Sequence, residues 1–315
     1  MTPLVSICCL SYNHENYIDE TLKSWLDQKT DFDVEILIHD DASTDKTVEI
    51  IKSYAEKYSE GNGSHFVIRP LYEEENQFSK SPIKNISGIY NFPRATGKYI
   101  AMCEGDDYWT DENKLSEQVA YMESHPDCSM CFHSAYQINS DVVGKKMMRP
   151  YTQTRIVTPE EIITKSSGYP TASLLLRSDL MKALPKFYME APIGDIPMQL
   201  TMAAGGYGYY IDKPMCAYRY FAPGSWTRDM YTGEGFKAKQ QGYEKQLIQM
   251  YDDFDDYSDH RFTSSIAEAK KRLHFNVAMN LRDWDVIFDK EYKKYYNEKN
   301  LLDRAYLWYQ RILQK

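Results

Sequence analysis

A repeated order of short apolar run, polar cluster and helical spacing constrains this chain more than any other feature. "LVSICCLSY" (4–12) is rich in strand formers and leads, past Asn13 as a helix cap, to Ile18, Leu22, Trp25 and Leu26 at helical spacing. "VEILIHD" (34–40) repeats the order, with Ser43 or Thr44 as cap and Val48, Ile51, Ala55 and Tyr58 on one helical face. "HFVIR" (65–69) and "KYIAMCE" (98–104) read as a third and a fourth strand, with a helix over 84–95 between them. Strands alternating with helices predict a parallel sheet covered on both faces, as in nucleotide-binding α/β folds.

Beyond residue 110 the pattern changes. "CSMCFHSAYQI", "GYPTASLLLR" and "YGYYIDKPMCAYRYF" predict further strands of a mixed sheet, in one domain with the parallel half. From about residue 234 strand signals stop, and Leu273, Val277, Leu281 and then Leu301, Ala305, Trp308, Ile312 return to helical spacing. Two regions are therefore expected, 1–232 and a helical extension over 233–315. A hydrophobic fraction of 43% with 14% aromatics supports a substantial core.

A formal charge of −9 leaves no overall basic field to release counterions from phosphates, so nucleic acid is excluded as a partner. "MTPLVSICCL" has no charged leader and no apolar run approaches the ~20 residues of a membrane span, which predicts a cytoplasmic location. Of six cysteines, Cys128 and Cys131 form one CxxC pair, with His125 and His133 nearby. The strand-like alternation around them favours structural thiols over a zinc site.

Three polar clusters fall at strand ends: "SYN" (11–13), "HDDASTD" (39–45) and "EGDDYW" (104–109). In an open α/β sheet, ligands gather outside the carboxyl ends of the strands. Any one cluster is ordinary turn chemistry. Three from neighbouring strands bring carboxylates together with no Lys or Arg between them, which raises their pKa values unless a cation is present. Oxygen ligands on an open loop suit Mg²⁺ or Mn²⁺, held by one or two carboxylates plus substrate phosphates. A diphosphate substrate is expected.

"VSICCLSYNHENYIDETLKSWLDQ", "EILIHDDASTDKT" and "GKYIAMCEGDDYWTDENKL" resemble, in order and spacing, the first half of the family 2 glycosyltransferases. The resemblance is strong over about residues 4–125 and looser to about 228. It implies a GT-A fold, a Rossmann-like α/β arrangement with a mixed, mainly parallel sheet flanked by helices, in which 1–232 is the catalytic domain. The "EGDDYWTD" form is similar to enzymes that build bacterial capsule or O-antigen polysaccharide.

Carried across by position, the resemblance implies that Tyr12 lies against the base of a nucleotide-sugar donor and Asp41 hydrogen-bonds it. Asp106 would meet the ribose or the metal, and Asp107 the Mn²⁺ or Mg²⁺ that bridges the diphosphate. Glu104 stands where many members carry a first Asp, and Asp40 is expected to support its loop. "APIGDIPMQL" (191–200) places Asp195 as the base that deprotonates an acceptor hydroxyl, with Gly194 where Glu is common. A helix cap is the bland role for Asp195. In "YRYFAPGSWTRD" (218–229), Arg219, Trp226 and Arg228 are candidates for closing over the diphosphate and the sugar. Trp109 and His133 complete the set as acceptor or loop residues, although a lone His on a strand is more often structural.

The activity implied is an inverting, metal-dependent transfer from a UDP-hexose or UDP-N-acetylhexosamine to a glycan or undecaprenyl-diphosphate-linked glycan. A deoxythymidine-linked rhamnose donor is the alternative, as is a binding module without turnover. A nucleotidyltransferase and a dinucleotide-dependent oxidoreductase are disfavoured, because "SYNHENY" has neither the glycines nor the Lys or Arg those sites need after the first strand. From Lys290 to Lys315 basic residues outnumber acidic ones, and "LLDRAYLWYQRILQK" carries an apolar face with Tyr306, Trp308 and Tyr309. Such a face packs on protein, the favoured reading, including a homodimer partner, or it lies on the inner face of the cell membrane.

Overall fold

The computed structural model describes residues 2–81, 84–139, 142–222 and 225–313. The chain divides into two compact units, Met1–Ser225 and Trp226–Lys315, rather than after residue 232.

The first unit begins with β1 (Val5–Ser11), α1 (Ile18–Leu26), β2 (Val34–Asp40), α2 (Thr47–Lys57), β3 (Phe66–Tyr72), α3 (Gln77–Lys80), α4 (Ile86–Tyr90) and β4 (Tyr99–Met102). The four strands run parallel in the order β3-β2-β1-β4. All four apolar side chains from Ile7 to Leu10 lie on a central strand, and Ile7, Cys8 and Cys9 are fully buried, as a strand covered on both faces requires. The helix expected over 84–95 is split into α4 and a 3₁₀ turn at Phe92–Arg94, where Pro93 removes a donor from the ladder.

The unit continues through β5 (Tyr108–Trp109), α5 (Lys114–Ser124), β6 (Cys128–Asn139), β7 (Val142–Met148), β8 (Arg155–Val157), α6 (Pro159–Lys165), β9 (Leu175–Arg177), α7 (Lys186–Met189), α8 (Asp195–Gly205) and β10 (Tyr207–Arg219). β9 joins β4 to β6 antiparallel to both, β10 runs parallel to β6, and β5 closes the order antiparallel to β10. The result is a mixed, mainly parallel sheet. Successive parallel strands progress outward from β1 through β2 to β3, then the chain crosses to β4 on the other side of β1. That reversal opens a crevice at the carboxyl ends of β1 and β4.

The second unit is helical: α9 (Trp226–Tyr231), α10 (Phe236–Tyr257), α11 (Thr263–Leu281), α12 (Trp284–Ile287), α13 (Lys293–Asn297) and α14 (Leu301–Leu313). α10 and α11 pack together around buried Leu247, Phe254, Ile266 and Phe275. α14 turns Leu307 inward at 2% exposure and stacks Arg311 on Phe288 at 4.5 Å. Its outward side carries Leu301, Leu302, Tyr306, Trp308, Tyr309, Ile312 and Leu313, with Leu302 82% exposed. At 100° per residue these seven fall on one arc, so the apolar face of this helix points away from its own unit.

Candidate active site

The three clusters predicted at strand ends meet at the crevice. The loops after β1 and β2 interlock: Asn13 Oδ1 accepts from the Thr44 amide at 2.8 Å, and the Asn13 amide donates to Ser43 Oγ at 2.9 Å. The His14 amide donates to Thr47 Oγ1 at 2.8 Å and the Glu15 amide to Asp45 Oδ2 at 3.1 Å. Asn13, expected as a cap, is therefore a clasp, held in the left-handed region at φ 54°, and α1 begins only after Tyr17. Ser43 and Thr44 likewise do not cap α2; Ser43 bonds both oxygens of Asp40, which supports this loop.

The acidic loop is built onto β1 and α1. The Gly105 amide donates to the Leu10 carbonyl at 3.0 Å, and Glu104 Oε2 accepts from the Leu10 amide at 2.9 Å. A Cβ at residue 105 would lie 2.6 Å from His14 Nδ1, so only glycine lets the two loops approach this closely. From α1, the Thr21 hydroxyl lies 2.7 Å from the Asp107 carbonyl and 3.1 Å from the Gly105 carbonyl. Ser24 accepts from the Trp109 amide at 3.0 Å, and Gln28 donates to the Asp111 carbonyl at 2.7 Å. These three residues were missed. Their signal was present: Thr21, Ser24 and Gln28 recur at i, i+3 and i+7 beside the apolar stripe of Leu22 and Trp25.

Asp107 is 4% exposed, and its Oδ1 accepts from the backbone amide of Arg219 at 2.9 Å. The Arg219 guanidinium donates to the Asp106 carbonyl and Glu20, and it lies 4.8 Å from the rings of Tyr17 and Tyr108. It braces the acidic loop from behind. Burial pushes the Asp107 carboxyl well above the usual carboxylate range, Asp106 and Glu104 push it further, and the Arg219 amide and charge oppose them. Burial raises Glu104 to about 8, against the Leu10 amide and with Asp106. His14, half-buried near Asp106, Asp45 and Asp40, has no hydrogen-bond partner at its buried Nδ1, and neither has Ser11 Oγ.

No group of three His, Cys, Asp or Glu side chains among the described residues is arranged to hold an ion by itself. Buried acids with raised pKa values nonetheless fit a divalent cation whose remaining ligands are waters and phosphate oxygens. Asp107 and Asp106 are the residues that would hold it.

Tyr12 stands at the rim of the crevice, 45% exposed. Asp41 is engaged: its Oδ1 accepts from the Gln77 amide at 2.6 Å and its Oδ2 from the Phe78 amide at 3.0 Å, tying down α3. Behind it lies His39, a buried residue that the sequence did not single out, stacked on Tyr90 at 4.4 Å. In "YEEENQ" (72–77), Glu73 lies within 3.8 Å of His39.

Asp195 is the first residue of α8, with Gly194 as its N-cap, so it does not act as the cap itself. Its carboxylate accepts from the Ile196 amide at 2.8 Å, and burial raises its pKa. Burial raises the pKa of the Tyr188 hydroxyl, and the charges of Asp195 and Glu104 raise it further.

Two predicted residues, Trp109 and His133, do not join this site. Trp109 is 4% exposed and donates to the Ala172 carbonyl at 3.0 Å, with the Lys114 ammonium 4.1 Å from its ring; it is a core anchor. His133 is fully buried in β6, its Nδ1 2.8 Å from the Ser134 carbonyl, and burial with Lys114 holds it neutral; it cannot line an acceptor pocket. Trp226 and Arg228 belong to the second unit, and Pro223 and Gly224 of their loop lie outside the described residues. Cys128 and Cys131 are buried free thiols in β6. A groove lined by Leu26, Lys29, Tyr58 and His65 opens at the amino ends of the strands and holds none of the predicted residues.

A strand order reversing at β1 and β4, with interlocked loops and paired acids at the reversal, defines an α/β protein of the nucleotide-binding kind. The glycosyl transferase family 2 model matches residues 6–183, and the chain belongs to that family. An uncharacterized protein of Mycobacterium tuberculosis is 34% identical over 222 residues, 70% of this chain and 60% of its own length. The chain thus spans less than two thirds of that relative. The UDP-Glc:alpha-D-GlcNAc-diphosphoundecaprenol beta-1,3-glucosyltransferase WfaP of Escherichia coli is 33% identical over 142 residues, 44% of this chain and 49% of its own. Among solved structures, S. aureus TarS with UDP-GlcNAc has a TM-score of 0.54 at 18% identity over 90% of this chain and 80% of its own. The mannosyltransferase PcManGT of Pyrobaculum calidifontis, with GDP-Man and Mn2+, has 0.51 at 16% over 98% and 85%. Both structures share the fold.

Proposed function

We propose that the protein transfers a sugar from a nucleoside diphosphate to a glycan or lipid-linked glycan acceptor in bacterial surface polysaccharide synthesis, with inversion. One observation carries this reading: at the switch point of the sheet Asp107 is buried beside Asp106, and burial together with Asp106 and Glu104 raises its pKa well above the usual carboxylate range. Tyr12 would lie against the base, and Asp41, with lone pairs left beyond its two amides, would accept from it. A UDP-hexose or UDP-N-acetylhexosamine is the favoured donor; the UDP-Glc and UDP-GlcNAc named for two of the relatives support it.

When bound by Asp107 and Asp106, Mn²⁺ or Mg²⁺ supplies the Lewis acid that stabilises charge on the departing diphosphate. The Arg219 amide fixes the orientation of Asp107, and Glu104 holds the loop to β1. Asp195 takes the proton of the acceptor hydroxyl as its oxygen attacks the anomeric carbon. The bond from that carbon to the diphosphate oxygen breaks in the same step. A single displacement of this kind inverts the centre.

The acceptor of the E. coli relative is carried on a diphosphoundecaprenol, and α14 supports a similar location for this chain. No helix among the described residues is long and apolar enough to cross a membrane. The outward arc of Leu302, Tyr306, Trp308 and Tyr309, in a segment where basic residues outnumber acidic ones, suits the surface of an anionic bilayer.

Calorimetric titration of UDP, dTDP and GDP, each with and without Mn²⁺, into the wild type and Asp107→Asn tests the donor site. Metal-dependent binding of one nucleotide, lost in the variant, is expected. Absence of binding by all three would overturn the reading.

A further inference from the structure

We propose that the Asn85 side-chain carbonyl binds a sugar hydroxyl beside Asp195, at the open face of Gly194. The proposal rests on the glycosyl transfer proposed above and adds a residue to it.

Asn85 precedes α4 and is 3% exposed. Its Nδ2 donates to the Tyr188 carbonyl and, at 3.3 Å, to the Ala191 carbonyl, so both amide protons hold the turn that leads into Gly194 and Asp195. Two carbonyl partners also fix which end of the amide is nitrogen, since a flipped oxygen would face them both. The remaining atom, Oδ1, is buried and has no partner. An orphaned acceptor at this depth is costly and needs an explanation.

Its direction supplies one. A Cβ built on Gly194 would lie 3.0 Å from Asn85 Oδ1 and 3.9 Å from the Tyr188 hydroxyl, so both atoms face the space that glycine leaves empty. Gly194 is the N-cap of α8 at φ −95°, a conformation open to any residue. Backbone freedom therefore does not call for glycine here; the space does. The next residue in the chain is Asp195, whose carboxyl pKa burial raises and which is the proposed base. A carbonyl oxygen that lacks a donor, one residue from a base that needs a hydroxyl, fits an incoming O–H. That hydroxyl comes either from the acceptor or from the transferred sugar.

Gly194→Ala puts a methyl 3.0 Å from Asn85 Oδ1 and so fills the space, and Asn85→Asp keeps the oxygen while removing the donors. Both variants and the wild type are titrated with UDP, UDP-glucose and UDP-N-acetylglucosamine in Mn²⁺, assayed for donor hydrolysis, and assayed for transfer to N-acetylglucosamine diphosphate on a short alkyl chain. For Gly194→Ala we expect unchanged UDP affinity, with about a tenfold loss confined to sugar recognition. If the loss appears as weaker nucleotide-sugar binding and slower hydrolysis, the hydroxyl belongs to the donor; if as a raised acceptor KM, it belongs to the acceptor. Sugar binding, hydrolysis and acceptor KM all within twofold of wild type would overturn the proposal. Failure of the wild type itself to bind any nucleotide or turn over any donor would instead overturn the transferase reading.

Discussion

The two ends of the parallel strands hold acids of opposite fate. At the amino end, Glu35 is fully buried and fully met: Ser6 donates to it at 2.5 Å, the Thr96 amide at 2.6 Å and hydroxyl at 2.8 Å, and Arg69 pairs with it. At the carboxyl end of β4, half-buried Glu104 and buried Asp107 lie among other acids, with one backbone amide each from Leu10 and Arg219. The same sheet thus shows how a buried carboxylate is satisfied, and then declines to satisfy two of them. A fold that can neutralise Glu35 completely leaves the crevice acids short of positive charge, and such a deficit marks a place where a ligand completes the structure.

The largest effect that would break this comparison is at Asp107. Asp107→Asn should abolish metal-dependent nucleotide binding. Without metal, the same change removes a carboxylate that its neighbours repel, so the variant should melt about 2–4 °C above wild type, the shift roughly 1 kcal/mol gives in a unit of this size. A variant that loses stability would show that the crevice acids are structural, as Glu35 is. Next in size is Asp195→Asn, expected to cost roughly 10²–10⁴ in turnover with nucleotide affinity unchanged. Its pH dependence has a definite sign. The base works only when deprotonated and burial raises its pKa, so wild-type kcat should fall as pH drops through a value above the ordinary carboxylate range. The variant should lack that limb.

How much of this was legible in the sequence differs between the same two ends. The strands β1 to β4 and the acids at their carboxyl ends could be read locally, because buried strands are apolar runs and the acids follow them directly. What those acids touch could not. Asn13 and Ser43 have cap chemistry, yet they clasp each other's loops across 30 residues of chain. Trp109 and His133 looked available because one follows the acidic motif and the other interrupts an apolar strand, but the sheet buries both. Asn85 carries no local signal: its importance comes from Tyr188 and Ala191, about a hundred residues on. Periodicity reports which way a side chain faces, whereas the partner it meets depends on how distant segments stack.

Glu35→Ala should be the mirror of Asp107→Asn. Removing a met acid orphans Ser6, the Thr96 amide and hydroxyl, and one arm of Arg69. A loss at the lower end of the roughly 3–5 kcal/mol for breaking a buried pair is expected, since Arg69 retains solvent and Glu60. Chemical denaturation measures it, and nucleotide affinity of the folded fraction should not change. Loss of affinity here would couple the two ends and dissolve the contrast between them.

The smallest change sharpens the comparison at its hinge. Thr21 is fully buried, and its one hydroxyl proton serves the Asp107 and Gly105 carbonyls, with the Tyr17 carbonyl at 3.2 Å as the alternative within α1. Thr21→Val keeps the shape and the β-branch and removes only that donor, leaving a buried carbonyl of the acidic loop unmet at about 1–3 kcal/mol. Because the carbonyl belongs to the residue that carries the metal-binding carboxylate, the cost should appear twice: in the denaturation midpoint, and in a weaker nucleotide affinity that more Mn²⁺ partly restores. A variant with lower stability and unchanged affinity would make α1 a scaffold alone. Recovery with metal would instead show that α1 holds the acidic loop in the form that an ion completes, which is the difference between this end of the sheet and the end that holds Glu35.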